Sequence, residues 1–464
     1  MLVSIVACAT SDSNKPAEET TDKTNDTIET TESGPKPDVP NKNYNGIAFT
    51  FMTRGEDWFT VDVFAESQNG EPLNDAVWQR NSVVEEKFNI SIAEIKKSGY
   101  SLNVELEKAV NADERIYDAC IMSGANTSIS AQSKFLLDLT NVPYIELSNP
   151  WWDQNANRDF FIGGKLYFTC CDLSISDKDG SWATGFNKRL VEDYKLDNPY
   201  DLVKNNQWTM DKMYEMGKAV SADLDGDGVM TAADMWGIAA ERFDTYALFF
   251  AGGERVFKNN SEGYPELVVY NDRSPGVIEK YMRMVQDTDL YHIANVVYES
   301  PFNEGRALFY ATTLLTIRRD WRAFDDDFGI IPGPKYDSKQ DNYALIVSIG
   351  GSASVQSIPI IAPDPEMSGI LLEYLAYESS RTLIPTYYEI CFNSKYLRDN
   401  ESIEMLKLCI ESRVFDLSII YDWGGWCMWL FNFDAKSTFD LASHYEANKE
   451  KTLLEMEKTL EAFK

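Results

Sequence analysis

Hydrophobic positions alternate between a two-residue and a three-to-four-residue period from about residue 46 onward. The apolar run GIAFTFMT predicts a buried strand, and the helical spacing in DAVWQRNSVVEEKF predicts a helix. NISIAEI, LNVELEKAVNA and YDACIMSG continue as strand, helix and strand. This βαβαβ order with short connections predicts a parallel-rich sheet covered by helices, in which ligands bind beyond the carboxyl ends of the strands.

The rest of the chain continues the mixture of strands and helices. GGKLYFTCCDLSISDKDGSWATGFNKRL predicts a hairpin, then a strand, then a helix, and NPYDLVKNNQWTMDKMYEMGKAVSA is helical. The C-terminal third predicts three helices, in PEMSGILLEYLAYESSRTL, ESIEMLKLCIESRV and NKEKTLLEMEKTLEAF. No run after the N-terminus approaches the ~20 apolar residues that a membrane-spanning helix needs.

Composition and charge limit the classes of function. The 464 residues are enough for about three domains or two large lobes. With 43 basic and 74 acidic side chains the net charge is −31, which disfavours nucleic acid or an acidic membrane surface as a partner. Only His292 and His444 are histidines, which argues against metallohydrolase and Ser-His-Asp chemistry. The seven cysteines form no C-x-x-C pair.

The N-terminus has the pattern of an anchored segment. An apolar run with small residues ends at Cys8, and a Thr, Glu, Asp, Ser and Pro stretch follows. This resembles the lipobox and polar tether of bacterial lipoproteins, in which the leader is removed and the cysteine carries diacylglycerol. We therefore expect a signal remnant at 1–8, a disordered tether at 9–45 and a folded body at 46–464. The alternative is a frayed N-terminus in which Cys8 is incidental.

The segment DLDGDGVMTAAD matches the twelve-residue calcium loop, with Gly228 at position 6 and an aspartate in place of the usual glutamate at position 12. A helix is predicted only before the loop, and MWGIAA after it predicts a short strand, so we expect structural calcium rather than a calcium sensor. The alternative is a solvated acidic turn. The predicted metal ligands are Asp223, Asp225, Asp227, Val229, Thr231 and Asp234.

The ordered set NPWWD, GGKLYF, GFNKRL, NPYDLVKNNQWTMDK, the acidic loop, AGGERVF, GRALFY, DFGIIPGPKYD and IPI resembles the family 1 extracellular solute-binding proteins. These are lipoprotein receptors of ABC sugar importers. The resemblance implies a type II periplasmic-binding-protein-like α/β fold with two lobes and a ligand cleft. It implies one lobe at 46–184 and 307–350, and another at 185–306 and 351–464, with the C-terminal helices packing across both.

By the same resemblance, crossovers between the lobes fall near Trp182–Asn187, near Ala307–Thr316 and in Ser348–Ile358. An acidic calcium-type loop is common in such proteins at the place of Asp223–Asp234, which again implies a structural ion.

A sugar presents flat C–H patches and a rim of hydroxyls, so its receptor needs aromatic platforms with carboxylates, amides and arginines. Such groups follow the predicted strands, flank the predicted crossovers, or lie in YDWGGWCMWLFNF. The predicted ligand residues are Arg54, Trp58, Ser123, Asn126, Asp172, Trp182, Gly253, Glu254, Arg318, Trp423 and Trp426. Core packing is an equal alternative for Trp423 and Trp426, and Trp429 is expected to be a core residue.

The resemblance implies a non-enzymatic, lipid-anchored monomer outside the cytoplasmic membrane. It would capture a carbohydrate by lobe closure and deliver it to the transmembrane subunits of a permease. Two alternatives remain open. A glycoside hydrolase would need two carboxylates ~5–10 Å apart. A binding protein for a peptide or another solute would have the same fold. A dockerin-like scaffold is disfavoured because a single loop lies inside a long globular chain.

Overall fold

The computed structural model describes residues 34–56, 63–241, 246–294, 300–321, 324, 326–351, 353–393, 400–432 and 440–464. Cys8, most of the predicted tether and Trp58 lie outside the described residues. Within the described part of the chain, no helix combines the length and hydrophobicity that a bilayer crossing requires.

The strands, numbered in chain order, are β1 (Ile47–Arg54), β2 (Ile90–Lys97), β3 (Ala119–Met122), β4 (Trp182–Asn187), β5 (Trp236–Glu241), β6 (Phe257–Asn259), β7 (Pro265–Leu267), β8 (Tyr291–Ala294), β9 (Ala307–Thr313), β10 (Phe328–Ile331), β11 (Leu345–Ile346), β12 (Val355–Ser357) and β13 (Arg413–Val414).

The α-helices are α1 (Pro72–Phe88), α2 (Leu102–Asn111), α3 (Gly124–Gln132), α4 (Gln154–Phe160), α5 (Ser176–Asp179), α6 (Lys188–Asp193), α7 (Pro199–Lys204), α8 (Met210–Val220), α9 (Ala247–Ala251), α10 (Ser274–Val285), α11 (Leu314–Arg319), α12 (Pro365–Arg381), α13 (Leu383–Asn393), α14 (Asn400–Glu411), α15 (Ser418–Tyr421), α16 (Trp426–Phe431) and α17 (Leu441–Ala462). Short 3₁₀ turns cover Leu139–Asn141, Pro301–Glu304 and Trp423–Gly425.

The first sheet has the strand order β12-β3-β1-β2. β1 pairs in parallel with both β2 and β3, as the βαβαβ pattern predicts, and β12 joins β3 antiparallel. Local signals bound the helix between β1 and β2. The Glu71 carboxylate accepts the N–H of Asn74, Pro72 lies in the first turn, and Asn89 ends the helix in the left-handed conformation (φ 49°).

The second sheet has the order β10-β4-β9-β5-β8. β4 is antiparallel to β10 and β9, whereas β5 is parallel to β9 and β8. The assignment of 307–350 to the first lobe conflicts with this pairing, because β9 lies at the centre of the second sheet. The expected crossover at Ala307–Thr316 is accordingly wrong. Its apolar run is a central strand, buried along its whole length, followed by α11.

The chain passes between the sheets at other places. It leaves the first sheet through α5 and enters β4, which coincides with the crossover expected near Trp182. It returns between β10 and β12, within the expected segment Ser348–Ile358. It passes again after α13, because α12 and α13 both pack on α1 whereas α14 packs on β10. C-terminal segments contact both parts, since α15 packs on α3 and α17 packs near β7.

The folded body begins earlier than the sequence indicated. Residues 37–464 form one compact unit, so the last residues of the predicted tether belong to the body. The N–H of Tyr44 donates to the carbonyl of Phe88 (2.8 Å), and Lys42 pairs with Glu366 on α12. Val39 and Tyr44 also pack against the core beside the first sheet. These hydrogen-bond, ion-pair and packing contacts order the end of the predicted tether, although its polar composition predicts disorder.

Candidate functional site

The carboxyl ends of β1, β2 and β3 lie at one edge of the first sheet, at Arg54, Lys97 and Met122, because the three strands are parallel. We call this the first-sheet edge. Parallel sheets bind ligands beyond such an edge, so we expect a ligand site there.

Arg54 is directed into the protein at this edge. Its side chain is buried, and the guanidinium donates to the carbonyl of Gly351 (2.8 Å) and to Oγ of Ser354 (3.2 Å). Burial lowers the pKa of Arg54 to about 9. In this structure Arg54 therefore ties the end of β1 to the return passage between the sheets.

Ser123 and Asn126 are also buried, and they brace the neighbouring loop. Ser123 Oγ accepts the side-chain amide of Asn126 at 2.9 Å and so orients it at the start of α3. The Asn126 amide donates to the carbonyl of Gly99 (3.0 Å), and its oxygen accepts the N–H of Asn103 (3.1 Å). Together they hold the segment between β2 and α2.

A buried ionic network surrounds the first passage. Lys178 on α5 lies 3.0 Å from Asp172 and 3.3 Å from Asp177. Arg413 on β13 pairs with Asp177 (2.7 Å) and with Asp153 at the start of α4. Burial opposes the charge of Arg413, but the two carboxylates outweigh it and raise its pKa. The predicted ligand residue Asp172 is therefore an ion-pair partner, and burial raises its pKa.

Arg318, which follows β9 on α11, completes this network on the other side of α5. Its Nε donates to Asp179 Oδ1 at 3.0 Å, and Tyr387 on α13 donates its hydroxyl to the same oxygen at 3.1 Å. The side chains of Arg318 and Asp179 are 15% and 2% exposed. Arg318 thus joins the second sheet to the passage that leads into it.

Trp182 and Glu254 have partners inside the protein as well. The indole N–H of Trp182 donates to the hydroxyl of Tyr246 (3.1 Å), and the two rings meet edge to face at 5.6 Å. The Glu254 carboxylate accepts from Arg273 at 2.9 Å and from Asn271 at 2.8 Å.

Gly253 is placed differently from the other predicted ligand residues. It has a positive φ of 87° and lines a cavity of about 1120 Å³. Asn155, Arg158, Tyr336 and Gln340 are among the other side chains that line this cavity. Gly253 is thus the predicted ligand residue that borders this open polar space.

Trp423 and Trp426 hold the C-terminal helix. Their indole N–H groups donate to the hydroxyls of Thr459 and Thr452 on α17, each at 2.9 Å. Both rings are buried, and Gly424 between them has a φ of 77°. In this arrangement the two tryptophans pack as core residues, which is the alternative that the sequence left open. Trp429 is partly buried and stacks on His444 at 4.0 Å.

The calcium-type loop brings three carboxylates together. Oxygens of Asp223, Asp225 and Asp227 lie within 4.8 Å of one another, and all three residues are exposed. Asp223 accepts the N–H groups of Gly226 (2.7 Å) and Gly228 (2.8 Å), which lowers its pKa. Carboxylates this close repel one another, so a hard cation with oxygen preference fits between them.

The fourth predicted carboxylate ligand, Asp234, is bonded to the backbone of the loop. Asp234 accepts the N–H of Leu224 (2.8 Å) and of Thr231 (2.7 Å), which lowers its pKa, and it lies outside the group of three carboxylates. At this position the usual pattern has a bidentate glutamate, whereas the shorter aspartate here bonds to the N–H groups of Leu224 and Thr231. α8 precedes the loop and β5 follows it, as the sequence predicted.

Sequence reasoning missed two features of the site. The first is the loop after β2, in which the Glu56 carboxylate accepts the N–H of Gly99 (2.8 Å) and the hydroxyl of Ser98 (3.1 Å). At its tip the ring of Tyr100 is 72% exposed. The sequence signal for this loop is an aromatic residue in the polar tetrapeptide SGYS, directly after a predicted strand. The second feature is Arg413, the buried ion-pair partner of Asp153 and Asp177, for which the local sequence gives no signal.

Comparison with known proteins identifies the fold. No family model matches the chain, and no curated protein matches it. An ABC substrate-binding protein from Listeria monocytogenes in complex with cycloalternan is similar with a TM-score of 0.55 at 14% identity, over 90% of this chain and 99% of that one. The cyclic α-maltosyl-1,6-maltose binding protein of Arthrobacter globiformis gives a TM-score of 0.61 at 11% identity, over 89% and 99%.

UgpB of Mycobacterium tuberculosis in complex with glycerophosphocholine is also similar, with a TM-score of 0.58 at 12% identity, over 89% and 99% of the two chains. These likenesses span whole proteins. The chain therefore has the type II periplasmic-binding-protein-like α/β fold of ABC substrate-binding proteins, as the sequence predicted.

Proposed function

We propose that the protein is the solute-binding component of an ABC importer and that its solute is a carbohydrate. The observation that carries the proposal is the fold, shared over about nine tenths of this chain with substrate-binding proteins solved with oligosaccharides. Two sheets joined by several passages are the architecture in which a solute can contact both halves only when they close.

Capture follows from that architecture. A ligand that contacts both halves in the closed form shifts the population toward it by the difference between its affinities for the two forms. The buried ion pairs around α5 would hold the passages in register while the halves move, because breaking them in a dry environment is costly. Import would then require docking on a permease.

Calcium and lipid anchorage are parts of the same proposal. Asp223, Asp225 and Asp227 would hold a calcium ion whose part is to rigidify the connection between α8 and β5, far in sequence from the first-sheet edge. Diacylglycerol on Cys8 would keep the receptor at the outer face of the membrane, within reach of its permease.

The direct test is a thermal-shift screen of the protein against mono- and oligosaccharides, with glycerophosphocholine as a non-sugar solute. A ligand at ~100 times its Kd adds about 2.7 kcal/mol to the free energy of unfolding. We expect an oligosaccharide to raise the melting temperature and to be recovered intact by chromatography. Cleavage of the sugar would instead identify a hydrolase. A shift with glycerophosphocholine alone would leave a solute receptor that does not bind sugars.

A further inference from the structure

One aromatic side chain stands apart on the first-sheet edge. Tyr100 is 72% exposed, more than any other large hydrophobic side chain in the described part of the chain. Single exposed aromatic residues are ordinary on protein surfaces and need no explanation by themselves. Tyr100 differs in its position, because it follows β2 at the edge where a parallel sheet binds its ligand.

The backbone on both sides of Tyr100 is held by side chains from the neighbouring strand ends. Glu56, just beyond β1, accepts the N–H of Gly99 at 2.8 Å. Asn126, just beyond β3, donates its side-chain amide to the carbonyl of Gly99 at 3.0 Å, so both backbone groups of Gly99 are bonded. On the far side the N–H of Asn103 donates to Asn126 at 3.1 Å. The exposed ring is therefore presented by a braced loop, which reduces the entropy lost when a ligand settles on it.

Polar groups adjoin the ring. Arg54 ends β1 and pairs in the sheet with Lys97, the last residue of β2, three residues before Tyr100. Glu56 follows β1 and accepts hydrogen bonds from Ser98 and Gly99 on the loop that carries Tyr100, and these bonds hold the pKa of Glu56 below its usual value. A flat apolar ring beside carboxylate and hydroxyl groups matches the two surfaces of a pyranose, whose C–H face is apolar and whose rim is polar.

We propose that Tyr100 is the stacking platform for a pyranose ring at the first-sheet edge. This inference rests on the proposed function, since it names a residue and a ligand class for the same site. Stacking is specific for rings with a continuous C–H face, such as glucose and xylose. The hydroxyl of Tyr100 is not required, so the aromatic face alone supplies the contact.

The test is isothermal titration of the protein with maltotetraose, cellotetraose and xylotetraose. The variants are Tyr100→Ala and Tyr100→Phe, and Tyr194→Ala is the matched control because Tyr194 is also exposed (40%) but lies after α6. Covering roughly 55 Å² of ring face corresponds to about a tenfold change in Kd. We expect Tyr100→Ala to weaken binding about tenfold, and Tyr100→Phe and Tyr194→Ala to bind like the wild type.

The outcomes separate the two proposals. If the wild-type protein binds one of the three sugars and Tyr100→Ala binds it equally well, the platform is refuted while the receptor function stands. Equal weakening by Tyr194→Ala would also refute it, because the effect would not belong to this edge. If the wild-type protein binds none of these sugars, the platform for glucose and xylose rings is refuted, and the thermal-shift screen decides whether the proposed carbohydrate function also fails. Melting curves without sugar check folding, and they should coincide because the ring is exposed.

Discussion

Replacing Arg413 with methionine tests whether the buried ionic network holds the fold together. Methionine keeps much of the aliphatic volume but removes the guanidinium that pairs with Asp177 at 2.7 Å and with Asp153. The side chains of Arg413, Asp177 and Asp153 are 8%, 1% and 6% exposed, so water can do little to replace the lost charge.

The magnitude follows from what remains around the two carboxylates. Removing one partner of a buried ion pair costs about 3–5 kcal/mol, because it leaves an uncompensated charge. Lys178 stays 3.3 Å from Asp177 and still compensates it. Asp153 keeps the N–H groups of Asn155 and Ala156, each at 2.9 Å on one oxygen, and the nearby charge of Arg158. We therefore expect the lower end of the range, about 3 kcal/mol.

The assay is urea unfolding followed by tryptophan fluorescence. Arg115→Met is the matched control, because Arg115 pairs with Asp113 at 3.0 Å on the surface, with side chains 58% and 72% exposed. An exposed pair is worth about 0–1 kcal/mol. Combining Arg413→Met with Asp153→Asn should recover most of the loss. If Arg413→Met costs no more than Arg115→Met, the argument that these carboxylates need a buried partner is wrong.

Three further predictions concern other parts of the molecule. Burial raises the pKa of Asp118 to about 6, so the native state binds this proton more tightly than the unfolded chain and stability falls as the pH rises from about 4 to 6. Asp118→Asn should remove that fall in urea titrations across the window, and an unchanged pH profile would contradict it. Gly424→Ala should lower the melting temperature clearly more than Gly425→Ala. Both glycines have a positive φ, but only a Cβ at position 424 would lie 2.0 Å from Thr452 Oγ1. Equal losses for the two variants would contradict this steric argument. Millimolar calcium should raise the melting temperature of the chelator-treated protein and do so less for Asp225→Asn, whereas no response in either would remove calcium from the proposal.

Much of the fold is encoded in local patterns. β1, α1, β2, α2 and β3 appear where the periods of hydrophobicity place them, and the parallel pairing follows from their order. These signals are local because burial of one face imposes a fixed spacing on neighbouring residues. The place of β9 could not be predicted in this way. Its apolar run is compatible with a crossover or a central strand, and only its pairing with β4, more than a hundred residues earlier, decides between them.

The candidate site divides along the same line. Residue type and spacing were enough to identify the acidic loop, because Asp223, Asp225 and Asp227 lie close together in the chain and their carboxylates meet within one turn. Polar side chains at the strand ends could also be recognised from their place in the sequence. It could not say whether a polar or aromatic side chain turns toward solvent or toward the protein. Trp426 suits a stacking wall and a buried helix contact equally well, and its direction depends on Thr452 of α17.

The sequence by itself therefore determined the α/β class, the order of most elements and the acidic loop, since each depends on interactions between residues a few positions apart. The tertiary structure alone decided that Arg54 and Arg318 bond within the protein and that Tyr100 remains outside. Those outcomes depend on which residues from distant segments lie within hydrogen-bonding distance of each side chain. Tertiary packing determines these neighbours, and the local hydrophobic pattern carries no information about them.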